Sequence, residues 1–158
     1  MITPMQEPPV SIRAMTHEDL SYVSDIERRS YSFPWSHGVF RDCLLAAYKC
    51  IVMERDDEVA GYAVLSIAAG EAHILNLCVD PAYRSYGYGE LLLNEILALA
   101  RAAEVAEIFL EVRPSNDRAL ALYKKKGFHK IADRPEYYQS REGREDASVL
   151  SKKLTGGY

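Results

Sequence analysis

Between Ala72 and Val112 the chain passes through a nearly continuous apolar segment (Ala72–Val79), a turn carrying Gly87 and Gly89, a Leu-rich segment of helical periodicity, and a second apolar segment, Ile108–Val112. The outer segments read as strands, the first of them covered on both faces and central in its sheet. The middle one reads as a helix with a stripe of Leu91, Leu92, Glu95, Ile96, Leu99 and Ala100. Together they form one β-α-β unit. Its turn suits a phosphate: glycines allow positive φ and close approach of a ligand to the backbone, and the helix start offers unpaired N–H groups and the positive end of its dipole. A diphosphate ligand is therefore the first expectation.

At 158 residues the chain fits one domain able to bury roughly two-thirds of the surface that its unfolded form exposes. Residues 10–154 are expected to form that domain, with Met1–Pro9 a loose lead-in and Thr155–Tyr158 a frayed tail. Cys43, Cys50 and Cys78 are odd in number, lie in apolar runs and lack CxxC spacing, so they read as reduced core thiols rather than disulfide or zinc ligands. Met1–Pro9 has no basic and apolar leader pattern, and no run approaches the ~20 apolar residues that span a bilayer. A soluble, cytoplasmic protein is expected. The formal net charge of −4 argues against non-specific binding of nucleic acid or anionic membranes.

Upstream, a strand over Val10–Ala14 leads to Thr16, with Asp19 at the capping-box position and Met15 and Leu20 placed as a hydrophobic staple on a helix running to about Ser30. Ser36 caps a second helix, where Trp35 can pack on Phe40. Lys49–Arg55 and Val59–Ile67, separated by acidic residues including Asp56-Asp57, read as a hairpin. Downstream, Asn116 or Ser115 caps a last helix through Tyr123, closed by Gly127 and Phe128, and His129–Arg134 and Ala147–Leu154 form a final antiparallel pair.

A dinucleotide reading of the Gly87/Gly89 turn fails on spacing. Leu92 stands where a third glycine is needed, and too little chain follows for a second mononucleotide half, although Glu111 lies where a ribose-binding acid would. No Gly-Lys-Ser/Thr step follows, which excludes a Walker loop. Two glycines alone would equally serve to shape a strand-to-helix turn. However, Arg84-Ser85-Tyr86-Gly87-Tyr88-Gly89 matches the Gln/Arg-x-x-Gly-x-Gly/Ala signature of the GCN5-related N-acetyltransferase (GNAT) superfamily. The chain also resembles the bacterial RimI-like ribosomal-protein alanine N-acetyltransferases in Phe33–Ser36, Asn76–Pro81, Leu110–Asn116, Ala121–Tyr123 before Gly127-Phe128, and Tyr137-Tyr138 followed by Gly143–Ala147. Ser85 and Tyr86 depart from the basic side chains that relatives often carry there.

The resemblance implies an α/β fold, a mixed central sheet of about seven strands flanked by about four helices, with acetyl-CoA as co-substrate and no metal. It implies main-chain contacts from Leu77, Cys78 and Val79 to the pantetheine arm, amides of Arg84, Ser85, Tyr86, Gly87, Tyr88, Gly89 and Glu90 around the pyrophosphate, and a contact from Asn116, which serves equally as a simple helix cap. Trp35, Tyr137 and Tyr138 would border the acceptor, a protein N-terminus such as the alanine of a small-subunit ribosomal protein; as residues alone they read as a staple and hairpin aromatics.

Glu111 is an acid inside an apolar strand. Partial burial would raise its pKa toward that of a general base, whereas an ion pair with a nearby Lys or Arg is the plainer reading; the resemblance makes it the base. Tyr123 reads as a core aromatic from its surroundings and as the general acid from the resemblance. Lys124–Lys126 read as a solvated helix end, with a phosphate contact as the lesser alternative. His17, His37, His73 and His129 show no ligand spacing or nucleophile partner and are assigned no chemistry. Two other functions stay open: acetylation of lysine or a small amine, because the acceptor half of such folds varies, and a non-catalytic acyl-CoA sensor, which would need neither Glu111 nor Tyr123.

Overall fold

The computed structural model describes residues 9–154, so Met1–Pro8 of the expected lead-in and the whole Thr155–Tyr158 tail lie outside the described residues. Strand β1 (Val10–Ala14) leads into a short 3-10 turn, His17–Asp19, in which the Thr16 N–H donates to the Asp19 carboxylate at 2.8 Å; this is the reciprocal half of a capping box. Helix α1 (Leu20–Ser30) follows, with Met15 and Leu20 buried in one cluster. In α2 (His37–Leu45) the Ser36 hydroxyl accepts from the Val39 N–H at 3.3 Å, and the Trp35 and Phe40 rings lie 5.2 Å apart, as their spacing predicts.

Strands β2 (Lys49–Arg55) and β3 (Glu58–Ala68) are joined through Asp56 and Asp57, both at positive φ, which matches the right-handed twist of a tight hairpin. Then come β4 (Glu71–Val79), α3 (Tyr88–Ala102) and β5 (Glu107–Val112), the anticipated β-α-β unit. The chain ends with α4 (Asp117–Lys125), β6 (His129–Ser140) and β7 (Gly143–Lys153). The seven strands form one sheet in the order β1-β2-β3-β4-β5-β7-β6, in which only β4 and β5 are parallel neighbours.

Alternation along β2 and β3 distributes the core. Val52, Tyr62 and Val64 pack under α1 and α2, while Met53, Ala63 and Leu65 join α3 and α4 on the opposite face. The buried stripe of α3 is Tyr88, Leu92, Leu93, Ile96, Leu97 and Ala100; Leu91 is exposed, so the helix is rotated from the expected stripe toward Leu93 and Leu97. An all-apolar run of leucines does not itself define which edge faces inward. Helix α4 extends past Tyr123 to Lys125. It ends in a Schellman closure, in which the Phe128 N–H donates to the Tyr123 carbonyl and the Gly127 N–H to the Lys124 carbonyl, both at 3.0 Å, with Gly127 at φ +91. The three cysteines are buried and free, and burial pushes each thiol up, Cys50 to about 11.

Two departures from regular pairing shape the molecule. The β6–β7 hairpin is longer than expected, because residues 135–146, mostly exposed, include Pro135 and several charges and so hide their strand character in an edge ribbon. More consequential is the register of β4 against β3, which shifts so that Asn76 pairs Val64 while Ile74 pairs Leu65, leaving Leu75 as a bulge. The pairing of β4 with β5 ends at the same place, covering only Glu71–Ile74 against Glu107–Leu110. Beyond it β4 continues along β3 to Val79, and β5 continues along β7 to Val112.

Gly61 on β3 faces Val79 across this open arm, and a Cβ there would lie 2.8 Å from the Cys78 carbonyl oxygen and 3.0 Å from Leu92 Cδ1. Because the first neighbour is backbone, Gly61→Ala should cost about 1–3 kcal/mol of stability. Urea unfolding checks this, and an unchanged midpoint would contradict it.

Candidate active site

Where β4 leaves β5, a cleft of about 940 Å³ opens, walled by Ile74–Val79 on one side and Leu110–Arg113 on the other. The Asp80 N–H donates to the Ala60 carbonyl at 2.8 Å, which sets the alternation: Asp80 and Cys78 face β3, while Leu77 and Val79 turn their N–H and C=O groups toward the cleft. The Tyr31 hydroxyl donates to the Leu77 carbonyl at 3.4 Å from the cleft side. Of the three residues expected to offer main chain, Leu77 and Val79 do so. Cys78 is corrected to a residue whose main chain is used within the sheet.

The turn after β4 is held by Asp80, whose carboxylate accepts from the Ala82 N–H at 3.0 Å and from Arg29 at 2.7 Å. Ser85 and Gly87 then take positive φ, +76 and +80, and α3 begins at Tyr88. The N–H groups of Tyr88, Gly89 and Glu90 have no acceptor within the helix and point out of its start. Arg84 and Gly89 border the cleft. The other side chains of the turn point elsewhere. Tyr88 is buried and its hydroxyl accepts from Arg55 Nε at 2.9 Å, Tyr86 stacks on Tyr88 at 5.4 Å, and the Arg55 guanidinium lies 5.1 Å from the Tyr86 ring centre. Glu90 pairs with Lys126 at 2.8 Å and Lys125 at 2.9 Å, which hold its carboxyl down to about 2; those two lysines are therefore engaged. Asn116 caps α4, accepting from the Ala119 N–H at 3.2 Å, and also borders the cleft.

Glu111 and Tyr123 border the same cleft. The Glu111 side chain is 10 % exposed and meets His73 Nε2 through one carboxylate oxygen and Arg134 Nη1, 3.4 Å away, through the other. Burial acts to raise its pKa, but the hydrogen bond and charge of His73, with Arg134, outweigh burial and hold it below the ordinary carboxylate range. This corrects the expectation of an elevated pKa and matches the plainer reading, an ion pair with an arginine, with His73 as a further partner. The pairing arises from parallel register: His73 faces Phe109, two residues before Glu111, and nothing in either segment announces that alignment. Tyr123 is buried, its hydroxyl makes no hydrogen bond to another described residue, and burial pushes its pKa up to about 12. Its ring meets Phe128 at 5.6 Å.

At the other end of the cleft, Trp35 and Tyr138 line the wall while Tyr137 does not; Tyr137 packs against Tyr138 at 4.7 Å with Arg134 4.5 Å from its ring centre. The Arg113 guanidinium covers Tyr138 at 4.4 Å and pairs with Glu145 at 3.1 Å, and Glu145 also accepts from the Ser115 hydroxyl at 2.9 Å, tying β7 to the start of α4. Glu27 was not anticipated. Buried in α1, it accepts from the Tyr62 hydroxyl at 2.7 Å, Asn76 Nδ2 at 3.0 Å and the Trp35 N–H at 2.9 Å, joining helix, loop and both strands. Its helical spacing from Val23 and Leu20 was the available signal. Among the described residues no cluster of His, Cys, Asp and Glu is arranged to hold a metal, and no helix is long and apolar enough to cross a membrane.

The profile of the Acetyltransferase (GNAT) family matches residues 20–128. The [ribosomal protein bS18]-alanine N-acetyltransferase of Escherichia coli (strain K12) is 33 % identical over 145 residues, covering 92 % of this chain and 98 % of that protein. The crystal structure of the ribosomal-protein-S18-alanine N-acetyltransferase from Escherichia coli superposes with a TM-score of 0.87 at 32 % identity, covering 94 % of this chain and 97 % of that one. Arabidopsis thaliana Naa50 in complex with the bisubstrate analogue CoA-Ac-MVNAL superposes with a TM-score of 0.80 at 25 % identity, covering 92 % and 99 %. Matched over residues 20–128 by the family profile and over nearly its whole length by relatives, the chain belongs to the acetyltransferase (GNAT) family.

Proposed function

We propose that this chain is an acetyl-CoA-dependent Nα-acetyltransferase, a single catalytic domain over residues 10–154 working in the cytoplasm, whose acceptor is a protein N-terminus and specifically the N-terminal alanine of a ribosomal protein. The observation that carries the reading is the meeting, in one cleft, of main chain from Leu77 and Val79 that no strand pairs on that side, an acid (Glu111) and an unpaired phenol (Tyr123). The similarity to bacterial bS18-alanine N-acetyltransferases and to a Naa50 complex with a CoA-peptide analogue supports both substrates.

Acetyl-CoA supplies an activated acetyl thioester. Leu77 and Val79 extend the sheet along its pantetheine arm, and the first-turn amides of α3, from Tyr88 to Glu90, receive its pyrophosphate. Glu111, ionised throughout the neutral range, takes a proton from the acceptor amine directly or through water. Tyr123 gives its O–H proton to the departing sulfur; burial makes the phenol a weaker acid, but the same burial makes a thiolate a stronger base. Trp35 and Tyr138 flank the acceptor segment. An α-amine of ordinary pKa about 7.8 is roughly a tenth neutral at pH 7, far more than lysine near 10.4, and so demands less of a depressed carboxylate.

Acetyl-CoA should raise the melting temperature and NAD should not, because only a ligand of the folded site stabilises it. Gly87→Val, which strains a residue at φ +80, should reduce that shift. Stabilisation by NAD alone would overturn the cofactor.

Glu111→Gln and Tyr123→Phe should each lower turnover about 10²-fold while leaving acetyl-CoA affinity within about twofold. The Glu111→Gln loss should be largest at neutral and acid pH and narrow at high pH, where the amine deprotonates unaided. Rates equal to wild type at every pH would remove both roles.

For the acceptor, mass spectrometry of a peptide bearing a free N-terminal alanine and an internal lysine should find the acetyl group on the α-amine. A copy with a blocked N-terminus should remain unmodified. Equal lysine acetylation in both would instead identify a lysine-directed enzyme.

A further inference from the structure

We infer that Arg55 is a positioning residue for acetyl-CoA: from the end of β2 it clasps the turn before α3 and holds it in the shape that receives the pyrophosphate. The inference rests on the acetyl-CoA reading of the cleft and goes beyond it, because Arg55 belongs neither to the cleft wall nor to the Arg84–Glu90 segment.

Strand geometry brings it there. Arg55 follows Met53 by two residues, and Met53 packs with α3, so the alternation of β2 turns Arg55 toward the same face and the start of that helix. Its guanidinium meets three tyrosines. Nε donates to the Tyr88 hydroxyl at 2.9 Å, and the cation lies 4.7 Å from the Tyr83 ring centre and 5.1 Å from that of Tyr86. Tyr86 in turn stacks on Tyr88, with ring centres 5.4 Å apart and planes 16° from parallel. One side chain thereby touches the segment before, within and after the turn.

The turn needs such a hold. Ser85 and Gly87 both take positive φ, +76 and +80, and for serine, which carries a Cβ, that is a strained conformation that persists only where the surroundings fix it. The Asp80 carboxylate bonds no farther along the turn than the Ala82 N–H, and a Cβ added at Gly87 would meet nothing within 4 Å. The cap therefore stops short of the strained residues, and no packing surrounds Gly87. Ser85 and Tyr86 bring no charge to the turn, whereas Arg55 keeps its own. Among the described residues no carboxylate pairs with it, and its neighbour Glu54 is engaged by Arg13. A turn without the clasp must be ordered at the moment of binding, so the cost falls on affinity for the anion and not on acetyl transfer.

Two acetyl donors separate this role from general support of the fold, because S-acetyl-pantetheine carries the thioester and the arm but no pyrophosphate. Arg55→Met should raise the calorimetric Kd for CoA and the KM for acetyl-CoA about tenfold, the size expected for losing one hydrogen bond and two exposed cation–ring contacts. Its kcat with acetyl-CoA, and its kcat/KM with S-acetyl-pantetheine, should stay within about twofold of wild type. Arg55→Lys keeps the charge but not the planar fork and should recover part of the affinity. Tyr86→Leu should also weaken CoA, and the double variant should be no weaker than the weaker single, because both act through one turn. An unchanged Kd for CoA in Arg55→Met, or equal losses with the two donors, overturns the inference. Should Arg55→Met fail to fold, Arg55→Lys and Tyr86→Leu carry the same comparison of donors. If wild type acetylates the free-N-terminus peptide and Arg55→Met keeps its Kd for CoA, Arg55 loses the role while the function stands. If wild type binds CoA but modifies no amine, the function falls, and the Kd for CoA still decides the role of Arg55.

Discussion

The bulge at Leu75 is the feature on which the rest of the molecule depends. A parallel pair that stayed in register to its end would spend the outward main-chain groups of Leu77 and Val79 on β5 and close the cleft. Instead, β4 leans on β3 and β5 leans on β7, so each arm keeps one satisfied edge and one free edge. Free main-chain groups are costly to bury unpaired, about 1–3 kcal/mol apiece, so they remain useful only along an open wall where water or a ligand reaches them. The same divergence gives the start of α3 room for an anion. Gly61, which alone can sit so close to the Cys78 carbonyl, lets the unsupported arm of β4 lie tight against β3.

Around this opening the polar groups are held by contacts between elements distant in sequence. Glu27 joins α1, the loop before α2, β3 and β4 through three donors without a cation, so its carboxylate braces one wall rather than neutralising a charge. Arg113, Ser115 and Glu145 brace the other, fixing the β6–β7 hairpin to the start of α4. Glu111 and Tyr123 sit between these braces with opposite environments. Ionic partners depress the acid, while apolar burial keeps the phenol protonated, which separates the two roles on electrostatic grounds alone.

Local signals in the chain were sufficient for most elements, though not for the outer half of the β6–β7 hairpin. Thr16, Ser36 and Asn116 mark helix starts, Gly127 marks an end, and apolar runs mark β2 to β5, because caps and periodicity act within a few residues. The turn at Ser85–Gly89 and the acid at Glu111 were legible for the same reason. Register was not. Whether Glu111 meets a lysine, an arginine or a histidine depends on which residues of β4 and β6 align with it, and no short-range rule sets that. The rotation of α3 toward Leu93 and Leu97, the engagement of Lys125 and Lys126 by Glu90, and the placing of the Tyr137 ring against Arg134, outside the cleft wall, are likewise consequences of packing.

Amide hydrogen exchange with and without acetyl-CoA tests the open-strand account most directly. The N–H groups of Leu77 and Val79, and those of Tyr88, Gly89 and Glu90, should slow together when acetyl-CoA is added, while the Cys78 amide, already bonded to β3, should change far less. Protection confined to other parts of the chain, with Leu77 and Val79 exchanging as fast as before, would contradict it.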